Sequence, residues 1–205
     1  MKLTWYGHSC FLVETEAGSV VFDPYEPGYV PGLRLPPLTA DAVVCSHGHG
    51  DHNFAAGVTL SGRPCGVTLQ QIPCFHDDRG GALRGKNRIT VLEAEGLRLA
   101  HLGDLGHMLS REQLAALGKV DLLLIPVGGH YTIGPEEAAA LAQTVGARIT
   151  VPMHYRGEGF GFPVLQTAEA FLALREPILR LEDTQLDPAD YPEPVTVLLR
   201  CPVSR

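Results

Sequence analysis

Nine consecutive residues carry the densest chemistry in the chain: Cys45-Ser46-His47-Gly48-His49-Gly50-Asp51-His52-Asn53. Three of the nine histidines and one carboxylate fall within six positions, with glycines between them. Neutral imidazole is a common ligand for zinc, and carboxylate oxygen is the harder ligand available beside it. His47 and His49 lie two apart and point the same way in an extended loop. Asp51 and His52 are adjacent and must diverge. That geometry suits two ions side by side better than one. The plainer alternative is a solvated loop that happens to be rich in histidine, and the clustering between glycines argues against it.

Such a cluster needs a scaffold. Ala42-Val43-Val44-Cys45 is a short apolar run that reads as a buried strand, so the cluster sits on a loop at a strand end. Residues 2–6, 10–15 and 18–22 read as short strands, the last ending at Asp23-Pro24. Gly66–Gln70 and Ile72–Phe75 read as two more, the second ending at His76. Residues 88–94 and 97–102 form a hairpin over Glu95-Gly96 that delivers Gly103-Asp104. Ser110-Arg111-Glu112-Gln113 is a capping box opening a short helix that Gly118 closes. Val120–Val127 is an apolar central strand ending before Gly128-Gly129-His130. Pro135 opens a second helix with Glu136 and Glu137 in its first turn, and Gly146 closes it. Arg148–Met153 is a strand ending at His154, Thr167–Arg175 a third helix, and Val195–Leu199 a late strand. His52, His76, Asp104, His130 and His154 thus each follow a predicted strand, which describes one edge of a sheet sandwich bearing a site.

The form His-x-His-x-Asp-His resembles the metal-binding signature of the metallo-β-lactamase superfamily. Leu3-Thr4-Trp5-Tyr6-Gly7-His8-Ser9-Cys10-Phe11-Leu12-Val13 is similar to the first hairpin of its small single-domain members. Val20-Val21-Phe22-Asp23-Pro24, Leu102-Gly103-Asp104, Val127-Gly128-Gly129-His130-Tyr131-Thr132-Ile133 and Val151-Pro152-Met153-His154-Tyr155 resemble its later motifs, in the family's order. The branch most similar is that of small hydrolases resembling ascorbate-6-phosphate lactonase, and the likeness extends to about residue 165. It implies an α/β fold, a four-layer αββα sandwich spanning residues 1–205 as one domain. It implies His47, His49 and His76 on a first divalent ion, Asp51, His52 and His154 on a second, and Asp104 bridging them. The ions would be zinc first, with manganese or iron as alternatives, since no cysteine has ligand spacing. Two ions with a water between them make hydroxide at neutral pH, so the implied activity is hydrolysis of an ester, lactone or phosphodiester. Asp51, Asp104 and His130 are the candidates for the chemistry.

Around this set, Asp23 could orient a ligating imidazole, and His8 or His130 could donate to the substrate. His107 could steady Asp104, and His101, alternating with leucine and alanine in a strand, reads as structural. Arg79, Arg84, Lys86 and Arg88 follow His76 in a glycine-rich loop that looks free to wrap. Arg79 and Arg84 are the better grips for an anionic group, because guanidinium binds carboxylate or phosphate in a fork.

Composition limits the alternatives. The chain has 205 residues, 45% hydrophobic and 19% charged, as in a globular domain. A net charge of −7 argues against an open nucleic-acid surface, which needs a basic face. A nuclease or phosphodiesterase acting on nucleic acid, and a metal-loaded sensor without turnover, are the rival readings. Five cysteines without C-x-x-C spacing read as reduced thiols of a cytoplasmic protein. No signal-peptide pattern and no apolar run of membrane-spanning length is visible. Residues 24–41 carry Pro24, Pro27, Pro31, Pro36 and Pro37 with Tyr25, Tyr29 and Leu33. That reads as a loop packed on the core, a lid or a partner surface, so self-association stays open.

Overall fold

Two β-sheets face each other, and the ligand-bearing loops all leave from one edge of the pair. The computed structural model describes residues 1–202. The first sheet is built from β1 (Lys2–Trp5), β2 (Phe11–Thr15) and β3 (Gly18–Phe22). A two-stranded ribbon pairs β4 (Leu38–Ala40) with β6 (Val58–Leu60), and β5 (Ala42–Val44) joins the first sheet beside β3. β7 (Thr68–Phe75), β8 (Lys86–Ala94), β9 (Leu97–His101), β10 (Leu122–Pro126) and β11 (Ile149–Met153) belong to the second sheet. Helices α1 (Arg111–Leu117), α2 (Pro135–Val145) and α3 (Ala168–Leu172) pack on β7, β10 and β11 respectively. β12 (Ile178–Arg180), β13 (Gln185–Leu186) and β14 (Val195–Leu198) complete the sheets. The strand orders are β13-β1-β2-β3-β5 and β12-β14-β11-β10-β9-β8-β7.

Strand direction explains where the site forms. β1, β2 and β3 are successively antiparallel, and β5 runs parallel to β3. The ends of β1, β3 and β5 therefore share one edge, which carries His8, Asp23 and the His47–His52 loop. In the other sheet β7, β8 and β9 are successively antiparallel, while β9, β10 and β11 are parallel. The ends of β7, β9 and β11 again share one edge, carrying His76, Asp104 and His154. Ligands outside the carboxyl ends of parallel strands are the common arrangement in such sheets.

The core between the sheets explains the apolar strands. β10 and β11 are buried along their whole length, as their continuous Leu, Ile and Val runs require. Trp5, Phe11, Phe22 and Phe171 are among the largest fully buried side chains. His101 crosses between the sheets. Its ring stacks on Phe22 at 5.3 Å, its Nε2–H donates to Ser9 O at 2.9 Å, and its Nδ1 accepts from Gly103 N–H. It is structural, as its place in a strand suggested.

Several sequence boundaries shift. Thr68–Phe75 is one strand rather than two, because Gln71 pairs with Thr90 without a break. The proline-rich segment is not all loop: Leu38–Ala40 pairs with Val58–Leu60. The third helix is shorter than expected, and β12 and β13 lie in a tail that carried no readable pattern. The capping box is present, with Ser110 Oγ accepting from Gln113 N–H and Gln113 Oε1 accepting from Ser110 N–H. All five cysteines are free thiols. Among the described residues, no helix is long and apolar enough to cross a membrane.

Candidate metal centre and active site

The fold brings the other six predicted ligands together around Asp104. His47 Nε2 and His49 Nδ1 lie 3.0 Å apart, and His76 completes a set whose ligand atoms converge. Asp51, His52 and His154 form the opposite set, joined there by His8. Asp104 stands between them. Its Oδ2 is 3.1 Å from both His76 Nε2 and His154 Nε2, and its Oδ1 is 3.1 Å from His52 Nε2. His52 Nε2, His154 Nε2 and Asp104 Oδ1 are buried without a hydrogen-bond partner. Buried polar atoms are normally satisfied, so converging orphans of this chemistry fit divalent cations.

The atoms behind the ligands fix their orientation. Asp23 accepts from His52 Nδ1–H at 2.7 Å, leaving Nε2 aimed at Asp104. The same carboxylate accepts from Ser46 N–H at 2.7 Å and from Ser46 Oγ–H at 2.6 Å. Ser46 Oγ in turn lies 3.0 Å from His47 Nδ1, the nitrogen turned away from the cluster. One carboxylate thus steadies an imidazole of each set. Asn87 does the same for Asp104: its Oδ1 accepts from Asp104 N–H at 3.1 Å and its Nδ2 donates to Leu102 O at 2.9 Å. Gly103, with φ of +56°, lets this turn pack against Ser46, since a Cβ there would lie 2.5 Å from Ser46 Cβ.

Electrostatics follow from this packing. Burial alone would raise the Asp104 pKa, but His154 and His52 outweigh it and hold the carboxyl well below its usual range. Burial also works against charge on His52, yet Asp104 and Asp23 prevail and raise its pKa well above the ordinary 6.5. In the metal-free chain His52 therefore carries a proton at pH 7, and a cation must displace it. Loading should release a proton at neutral pH. Apparent affinity should rise with pH up to the raised pKa, by about tenfold per unit for one proton. Calorimetric titration in buffers of different ionisation enthalpy measures this, and an enthalpy independent of buffer would contradict it.

The structure separates the remaining candidates. A cavity of about 270 Å³ opens over the cluster, lined by Tyr29, His49, Asp51, His76, Arg84, Asp104, Tyr131 and Phe162. Arg84 is in the lining, whereas Arg79 is exposed outside it. His130, expected in the chemistry, is exposed with φ of +57° and lies against Tyr131. The glycine pair before it turns the chain so that Tyr131 reaches the cavity instead. His8, expected to meet the substrate, is 1% exposed and outside the cavity lining, 4.1 Å from the His154 ring and 3.3 Å from Asp51 Oδ2 through Nε2. Its place is behind Asp51 and beside the second set. His107 accepts from Phe75 N–H and donates to Met108 O, so it closes the end of β7 and does not touch Asp104.

The basic loop is not free to wrap. Asp77, buried next to His76, accepts four backbone N–H bonds, from Arg79, Gly81, Leu83 and Arg84, at 2.7–2.9 Å. Burial would raise its pKa, but these donors, Arg84's first, bring it down to about 2. Asp77, Ser46, Asn87, Tyr131 and Phe162 were not singled out as site residues from sequence. An acidic residue directly after a ligand and before a Gly-Gly turn was the one usable signal, for Asp77.

Gly50 has a role beyond bending the loop. A Cβ on it would lie 2.5 Å from the Tyr29 ring, so glycine lets that ring lie over the metal-binding loop. Gly50→Ala should push the half-exposed Tyr29 outward. Stability should change by no more than about 0.5 kcal/mol, while KM rises severalfold with ion content intact. An unchanged KM would show that Tyr29 does not contact substrate.

Two facing sheets with a His/Asp centre at one edge define a metal-dependent hydrolase of the metallo-β-lactamase class. Residues 2–154 match the family described as the beta-lactamase superfamily domain, and the chain belongs to that superfamily. A metal-dependent hydrolase of Methanoregula boonei is 31% identical over 188 residues, covering 76% of this chain and 82% of the relative. A Thermotoga maritima protein described as a candidate Zn-dependent hydrolase of the superfamily is 36% identical. It superposes with a TM-score of 0.77 over 97% of this chain and 98% of its own. CmlA, a diiron β-hydroxylase of Streptomyces venezuelae, shares the fold at a TM-score of 0.58 and 12% identity, over 97% of this chain and 52% of its own. The fold alone therefore does not fix the metal.

Proposed function

We propose that this hydrolase uses two divalent ions held across Asp104 to cleave an ester, lactone or phosphodiester bond of a small anionic substrate. The observation carrying this reading is the position of the Asp104 carboxylate between two converging ligand sets, 3.1 Å from an imidazole nitrogen on each side. His47, His49 and His76 would hold one ion, and Asp51, His52 and His154 the other. Zinc suits the nitrogen-rich set, and the similar Thermotoga protein is described as Zn-dependent; manganese and iron suit it too. Bound, the ions would polarise the scissile group and lower the pKa of the attacking water. Asp51 and Asp104 both line the cavity. Both are held ionised, Asp51 against its burial by His8 and His52, which suits them to hold cations. Burial and Asp23 push the Cys45 thiol up to about 12, which removes it as a nucleophile at neutral pH. Ser46 is committed to Asp23.

Elemental analysis of protein purified without chelator should give close to two ions per chain. A panel of lactone, ester, thioester and phosphodiester substrates should identify one class that is cleaved, with loss of activity on chelation. A single ion per chain at full activity would sink the two-ion reading, and turnover that survives complete metal removal would sink the reaction itself.

A further inference from the structure

The wall of the cavity has a chemistry distinct from its floor. Four segments each contribute one side chain: Tyr29 from the proline-rich segment, Arg84 after His76, Tyr131 after β10, and Phe162 after β11. Phe162 meets both tyrosines at near right angles, with ring centres 6.4 Å from Tyr29 and 6.1 Å from Tyr131. Arg84 lies over the Tyr131 ring, its Cζ 5.8 Å from the centre. The segments are tied before any ligand arrives. Gly161 N–H donates to Pro31 O at 2.9 Å, Glu26 N–H donates to Gly50 O at 2.8 Å, and Asp77 fixes the backbone of Arg84. These ties lower the cost of ordering the backbone on binding.

Arg84 is the telling member. Among the described residues the arginine–carboxylate pairs are Arg63–Asp41, Arg98–Glu93 and Arg180–Glu169, so Arg84 has no acidic partner. A half-buried guanidinium held on a ring with its fork unmatched is a receptor for a planar anion. It is also single. Lys86 and Arg88 line a different recess with Cys45, Ser46, His47, Gly48 and Asn53. One guanidinium suits a monoanion such as carboxylate. The perpendicular rings leave edges and faces that a flat apolar group can complete. At about 270 Å³ the space is at the small end for organic ligands.

We propose that Tyr29, Tyr131, Phe162 and Arg84 form a specificity box for an aromatic substrate bearing one carboxylate, ring against rings and carboxylate on Arg84, with the scissile bond turned to the ligand cluster. The fate of that bond rests on the hydrolytic reading above; the binding preference does not.

The test uses protein loaded with Zn²⁺ and three esters: monomethyl terephthalate, its neutral carbamoyl analogue, and monomethyl adipate. The first should have a kcat/KM roughly tenfold above each of the others, as expected for losing one charge-assisted contact or one ring contact. Arg84→Gln should bring the charged-to-neutral ratio to within about twofold, and Phe162→Ala should do so for the aromatic-to-aliphatic ratio. Each variant is compared at wild-type ion content, which controls for folding of the site. Calorimetry with terephthalate, benzoate and adipate repeats the comparison without turnover, because one carboxylate can occupy the metals while the second reports on Arg84. If no ester is cleaved but terephthalate outbinds benzoate in an Arg84-dependent way, ester hydrolysis falls and the box stands. If the esters are cleaved with ratios that neither variant moves, the box falls and hydrolysis stands. Equal binding of all three acids with no cleavage overturns both.

Discussion

Asp104→Asn should cut bound metal from about two ions per chain to one or fewer and lower turnover by a factor on the order of 10³ or more. The change is nearly isosteric and leaves the backbone N–H on Asn87, so the turn after β9 should survive. What disappears is the charge between the two ligand sets. Two doubly charged ions repel with four times the energy of two unit charges, which is itself about 4 kcal/mol at 4 Å and an effective dielectric of 20. An amide cannot offset that. Elemental analysis and steady-state kinetics on the same preparation measure both effects. Two ions retained, with turnover within a few-fold of wild type, would mean that Asp104 does not bridge.

Asp23→Ala should be the most damaging change away from the ligands themselves. It strips the acceptor from three buried donors, Ser46 N–H, Ser46 Oγ–H and His52 Nδ1–H. Each orphaned donor costs about 1–3 kcal/mol, not additively, and alanine adds strain at a φ of +43°. A loss of about 3–5 kcal/mol is expected, which lowers Tm by roughly 10 °C in a domain of this size. Affinity for the ion beside His52 should fall about 10–100-fold. Asp23→Asn keeps an acceptor and tolerates the left-handed backbone, so it should retain most of the stability. Differential scanning calorimetry on both variants separates them, and equal melting points for D23A and wild type would take Asp23 out of this role.

Much of the centre was readable because its ligands are both chemically distinctive and strand-terminal. The His47–His52 loop announces itself by composition, and His76, Asp104 and His154 by following apolar runs. What stayed hidden depends on side-chain direction across long sequence separations. Nothing local distinguishes Tyr131, which reaches the cavity, from His130, which does not; the turn at Gly128-Gly129 decides it. Arg79 and Arg84 read alike until Asp77 gathers the loop and sends only Arg84 inward. Asn87 looks like a strand residue, and its bond to Asp104 N–H spans 17 positions. β4 was hidden because the prolines just before it broke any period, although its three residues pair normally with β6.

His8, Asp23 and His154 all hold left-handed backbone, with φ of +52°, +43° and +53°. Such a conformation costs an L-residue about 1–2 kcal/mol that glycine would not incur. The same three positions steady Asp51, orient His52 and supply a candidate ligand. At Asp23 three hydrogen bonds outweigh the strain, while at His8 and His154 the strained backbone holds imidazoles of the candidate centre. Glycine at position 8 or 154 would relieve that strain, but it would empty a buried side-chain site and remove a group of the candidate metal centre. Engineering for durability in this protein has to begin elsewhere, on surfaces remote from that edge of the sheets.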